Sequence, residues 1–114
     1  MRTFRMSTDT ARRPLFIDFD AYTDGDPEFK KEITDLMIDN LQEMQQVLQI
    51  ASKQNDLALF QKVCHKIKAT LDMLEDKELL EVVAQLKISM ADAELVKLLD
   101  RLCIDIIASL NESK

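Results

Sequence analysis

Residues 57–74 read Leu57-Ala58-Leu59-Phe60-Gln61-Lys62-Val63-Cys64-His65-Lys66-Ile67-Lys68-Ala69-Thr70-Leu71-Asp72-Met73-Leu74. Leu57, Phe60, Cys64, Ile67, Leu71 and Leu74 alternate steps of three and four without a break, the period of an amphipathic helix. Placing His65 at zero and turning about 100° per residue collects Leu57, Phe60, Val63, Cys64, Ile67, Leu71 and Leu74 in an arc of about 120°. The centre of that arc lies about 140° from His65, so the single histidine of the chain faces away from the core side. Its neighbours within about 60° are Ala58, Gln61, Lys62, Lys68, Ala69 and Asp72, all polar or small.

The same period continues on both sides. Asp26 and Pro27 form a cap and a first helical position. Phe29, Ile33, Met37, Leu41, Met44, Leu48 and Ala51 then recur over about six turns. Asp56 caps the His65 helix. Glu75-Asp76 opens a third helix with Leu79, Val83, Leu86 and Met90 inward. Ala91-Asp92 breaks the chain before a fourth helix carrying Leu95, Leu98, Leu99, Leu102, Ile106 and Leu110. The expected spans are about Asp26–Lys53, Leu57–Met73, Asp76–Met90 and Asp92–Asn111. They describe an all-α, up-down antiparallel four-helix bundle. Residues 1–14 lack periodicity and are expected to form a mobile arm. The bundle domain then occupies 15–114. It begins with a short helical or extended element around Leu15, Phe16, Ile17, Phe19 and Tyr22, laid over one end. Ile38 lies about 130° from the apolar centre of its helix. It either extends a docking surface or is covered by Phe16 and Phe19.

Composition agrees with long helices. One glycine and two prolines in 114 residues leave little punctuation for strands and turns. The net charge of −6 disfavours nucleic acid and anionic membranes. No apolar run approaches a spanning length, and the arginine-bearing start has no signal-peptide core. A cytoplasmic monomer is expected. Cys64 and Cys103 form no Cys-x-x-Cys pair and read as buried small hydrophobes.

An outward histidine narrows the chemistry. One His cannot build a metal site, and no glycine-rich phosphate loop is present. Cys64 points about 100° away from His65, which removes a Cys–His dyad. An exposed imidazole on a rigid helix can accept a phosphoryl group from another protein as a phosphoramidate. Lys68, at i+3, can sit beside that group, and Asp72 can hold Lys68 when the group is absent. Ala58 and Ala69 leave room for approach. The rival reading is a helical protein-interaction module with a solvated, unmodified His65.

The run Cys64-His65-Lys66-Ile67-Lys68-Ala69-Thr70-Leu71 resembles the signature of histidine-containing phosphotransfer (HPt) domains. In that family an apolar residue follows the histidine at +2, Lys at +3 and a small residue, usually Gly, at +4. Asp24-Gly25-Asp26-Pro27-Glu28-Phe29 and Asn55-Asp56-Leu57 resemble the family's approaches to its first long helix and to the His helix. Ala69 replaces the usual Gly, and Glu75 stands where many members have Gly. The resemblance spans roughly Phe19 to Leu110. It implies a phosphorelay in which His65 takes a phosphoryl group from an aspartyl phosphate and passes it to another receiver domain. Lys68 would stabilise the phosphate, and Ala58, Gln61, Lys62, Ala69 and Asp72 would form the partner face. The implied partners are response-regulator receiver domains and a hybrid sensor histidine kinase. The chain would need no cofactor of its own and no ATP-dependent kinase activity. Mg²⁺ would belong to the receiver.

Overall fold

The computed structural model describes residues 13–113. Among them every regular element is a helix. The order is α1 Phe19–Thr23, α2 Pro27–Gln54, α3 Leu57–Lys66, α4 Lys68–Leu74, α5 Lys77–Leu86 and α6 Ala93–Ser113. Aspartates start five of these six by accepting backbone N–H groups that a first helical turn leaves unpaired. Asp18 accepts from Ala21, Asp26 from Glu28 and Phe29, Asp56 from Leu59, Asp76 from Leu79, and Asp92 from Glu94 and Leu95. Pro27 takes the first position of α2, where its missing N–H costs nothing.

Helix α2 packs against both α3 and α6, and α5 packs against α6. The core between them contains Met37, Leu41, Met44, Leu48, Phe60, Cys64, Ile67, Leu71, Leu79, Leu86, Leu99 and Ile106. Most of the apolar period therefore points inward, as expected. Phe29 departs from it and is exposed, because it stands in the first turn of α2, beyond the edge of the core. Ile38 is 8% exposed and belongs to the core, so it offers no docking surface. Thr70 on α4 is also buried, and its Oγ1 accepts a hydrogen bond from Asn40 Nδ2 of α2 at 2.8 Å.

Two helix boundaries differ from expectation. The single helix expected over 57–73 is interrupted at Ile67, whose backbone has φ −102° and ψ 18°. Its N–H still bonds to the Val63 carbonyl at 3.0 Å, and its carbonyl accepts from Leu71 at 3.2 Å. No Pro, Gly or Ser lies in this stretch to break it. Ile67 is 1% exposed, and tertiary packing of that β-branched side chain overrides the local helical preference. The third expected helix stops at Leu86, not Met90. The Lys87 carbonyl is taken by Gln61, and Ser89 Oγ accepts from the Ala91 N–H, so the chain turns out of the helix.

Residues 1–12 of the expected arm lie outside the described residues. Arg13, at its end, is tied to the fold. Its N–H donates to Ser109 Oγ at 3.0 Å, Ser109 Oγ donates back to its carbonyl, and its guanidinium meets Asp76 and Glu78. The short N-terminal element thus has no regular structure through Asp18 and is helical in α1.

Candidate functional site

His65 stands in the last turn of α3 with its side chain open to solvent, while Val63 and Cys64 beside it are buried. It forms a ridge between two grooves. One groove, of about 660 Å³, runs between α3–α4 and α5 and is lined by Gln61, Cys64, His65, Lys68, Leu71, Asp72, Leu80, Val83, Ala84, Lys87 and Ile88. The other lies towards α2 and is lined by Glu43, Val47, Leu59, Lys62, Val63, His65 and Lys66.

The first groove gathers four of the expected site residues: Gln61, His65, Lys68 and Asp72. Lys68 Nζ lies 2.6 Å from Asp72 Oδ2, a surface i,i+4 pair that holds the lysine at the groove when no anion is present. The break at Ile67 does not part Lys68 from His65, since both still line one wall. Lys62 falls instead in the second groove. Ala58 and Ala69 are exposed but line neither groove.

Cys64, Leu71 and Val83 reach the groove from the expected core, and four further lining residues were expected in neither role: Leu80, Ala84, Lys87 and Ile88. Their spacing is i, i+4, i+7 and i+8, one face of α5 continued into the following turn. That stripe lies beside the inward set Leu79, Val83 and Leu86, and it could have been found by asking what α5 leaves over after filling the core. Ile88 is 78% exposed, the most open of the large apolar side chains among the described residues. The floor and far wall of the groove are therefore apolar apart from Lys87, and the His65 rim is polar and cationic.

Gln61 Nε2 donates to the Lys87 carbonyl at 2.7 Å and ties the end of α5 to α3 one turn before His65. On the opposite flank, Lys66 Nζ pairs with Glu43 of α2 at 2.8 Å. Burial pushes the Cys64 thiol up to about 11, against the nearby charge of Lys87, which acts in the opposite direction. Burial likewise pushes Cys103 up to about 12, with Asp100 adding to the shift. Both cysteines are free thiols held in the unreactive form at neutral pH. Among the described residues no group of three or more His, Cys, Asp or Glu is arranged to hold a metal ion. No helix among them is long and apolar enough to cross a membrane.

The arrangement can hold a small anion at a ring nitrogen with a lysine beside it, on a surface open to a second macromolecule. Comparison with family models, with curated proteins and with solved structures found no match to the chain.

Proposed function

We propose that the protein is a phosphoryl carrier of the histidine phosphotransfer type, with His65 as the acceptor. In this reading α2, α3–α4, α5 and α6 constitute an up-down four-helix bundle whose task is to hold the ring still and outward. The observation that carries the proposal is the placement of an exposed His65 on a ridge above a core, with Lys68 on the same wall and an apolar strip opposite. A solvated histidine without a role would not need that combination.

The chemistry asks little of the carrier. The lone pair of a neutral His65 ring nitrogen attacks the phosphorus of an aspartyl phosphate on a receiver domain. An N–P bond forms, the acyl P–O bond breaks, and the aspartate leaves with the electron pair as a carboxylate. The proton on the other ring nitrogen is then released to water. The reverse sequence delivers the group to a second receiver. Mg²⁺ and the acidic pocket are supplied by the receiver, and Lys68 leaves Asp72 to meet the phosphoryl oxygens. Leu80, Ala84 and Ile88 give the receiver an apolar strip beside the reacting atoms, suited to a small, transient contact. A hybrid sensor histidine kinase would be the source of the group upstream.

The test is transfer itself. The chain is incubated with phosphorylated receiver domains of its own genome, and acid-labile phosphate is followed on wild type, His65→Gln and Lys68→Ala. Label on wild type and none on His65→Gln is the expected result. Full labelling of His65→Gln ends the reading, because the chain has no other histidine.

A further inference from the structure

A phosphoryl group on His65 would need cations beside it. It would carry close to two negative charges. His65 lies in the last turn of α3 and α4 starts at Lys68 directly after it, so the opposite ends of the two helix dipoles meet there and supply no net positive field for the group. Lys68 is the nearest cation on the same wall, but its charge is shared with Asp72 at 2.6 Å. On this wall of the groove, one partly neutralised lysine is all that faces the dianion, since Lys62 lines the other groove.

Across the same groove stands Lys87. It lines the wall opposite Lys68, and no ion pair engages it among the described residues. Its backbone is fixed twice. Its N–H bonds to the Val83 carbonyl at 2.9 Å, and its carbonyl accepts from Gln61 Nε2 at 2.7 Å. Gln61 lies one turn before His65 on α3, so that bond sets the distance between the end of α5 and the His65 turn. The stem of Lys87 therefore starts from a fixed point on the α5 side of the groove.

Resting on the reading of His65 as a phosphoryl acceptor, we propose that Lys87 is a second phosphate-holding cation that closes on the group from the α5 side, and that Gln61 is the residue that positions it. Lys68 and Lys87 then hold the phosphoryl oxygens from opposite walls. Among the described residues no carboxylate holds Lys87 beforehand, so it is free to engage when the group is present.

The experiment uses the full chain and a donor without a docking surface, phosphoramidate, so that partner binding does not enter. Initial rates of His65 phosphorylation are compared for wild type, Lys87→Ala, Lys87→Arg, Gln61→Leu, the double variant Lys87→Ala with Gln61→Leu, and Lys97→Ala on exposed α6 as a control. Lys87→Ala should slow labelling about tenfold, the scale of one charge-assisted hydrogen bond. Lys87→Arg should restore most of the rate, and Lys97→Ala should match wild type. Gln61→Leu should slow labelling alone and add nothing on top of Lys87→Ala, the non-additivity expected if it acts through Lys87. A Lys87→Ala rate equal to wild type overturns the proposal while leaving His65 as acceptor. Failure of Lys87→Arg to restore the rate overturns it as well. A wild type that takes no label, from phosphoramidate or from any phosphorylated receiver, removes the acceptor reading and this proposal together.

Discussion

Cys64 and His65 are neighbours in the chain and opposites in surroundings. A rotation of about 100° carries one into the core and the other into solvent. Cys64 is 3% exposed with its thiol pushed up to about 11 by burial, whereas His65 is open. Because the ring contributes no core area, His65→Gln should abolish labelling and leave the unfolding free energy within about 0.5 kcal/mol of wild type, checked by denaturant titration. Lys68→Ala should keep the acceptor and slow transfer by about tenfold, the loss of one charge-assisted contact. Its stability should change by only a few tenths of a kcal/mol, since the Asp72 pair is a surface one. An unchanged transfer rate would remove Lys68 from the site. His65, Gln61, Lys68 and Asp72 are legible in the sequence because one continuous apolar period fixes the opposite face of their helix and rotation alone relates them to it. Lys87, Leu80, Ala84 and Ile88 are not. Their place depends on which helix lies beside α3, and no single-helix period carries that information.

At the scale of elements, starts are easier to read than ends. Asp26, Asp56, Asp76 and Asp92 announce helices because a carboxylate has a specific local partner in the first turn. Helix ends depend on remote groups. α5 stops at Leu86 where Gln61 of another helix takes the Lys87 carbonyl, and the Ile67 break follows from packing. Glu75 shows the cost of an end made locally. It terminates α4 in the left-handed region with φ 52°, a conformation in which a side chain collides with its own backbone. Asp24 and Asn55 adopt the same conformation, but their short polar side chains tolerate it. Glu75→Gly should relieve the collision, partly offset by the entropy of an unfolded glycine, for a net gain of about 0.5–1 kcal/mol. Calorimetry should then show Tm several degrees higher. A lower Tm would mean that the Glu75 side chain contributes more than its backbone loses. Ile38→Ala tests the other side of the same distinction. As a core residue it should lose about 2–5 kcal/mol of stability, whereas a docking residue would lose almost none.

At the scale of the whole molecule, the N-terminal segment is fastened to the far end of the chain and to the start of α5. Arg13 shares two hydrogen bonds with Ser109 of α6 and directs its guanidinium at Asp76 and Glu78. Asp76 does two jobs with one carboxylate. It caps α5 through the Leu79 N–H at 3.1 Å and receives Arg13 at 2.5 and 2.9 Å, with its side chain only 4% exposed. Burial alone would raise its pKa, but the Arg13 hydrogen bond and the backbone N–H groups outweigh burial and hold it below the ordinary carboxylate value. The Arg13 guanidinium is raised in turn by its bond to Asp76, against the desolvation that would lower it. A carboxylate lowered on folding stabilises the fold above its unfolded pKa of about 3.9, and that contribution fades as pH falls through the lower folded value. Asp76→Asn keeps an oxygen for the cap and removes the ion pair, leaving Arg13, 20% exposed, without its principal counter-charge. The variant should therefore be less stable than wild type by about 1–3 kcal/mol at pH 7. The difference should hold down to about pH 5 and close below about pH 4 as the wild-type carboxylate takes up its proton. Denaturant unfolding of both proteins across that range checks it. A gap that stays constant to about pH 2 would assign the loss to the cap geometry and not to the charge. Labelling of His65 in Asp76→Asn should match wild type wherever the variant is folded, because neither Arg13 nor Asp76 lines the groove that His65 overlooks.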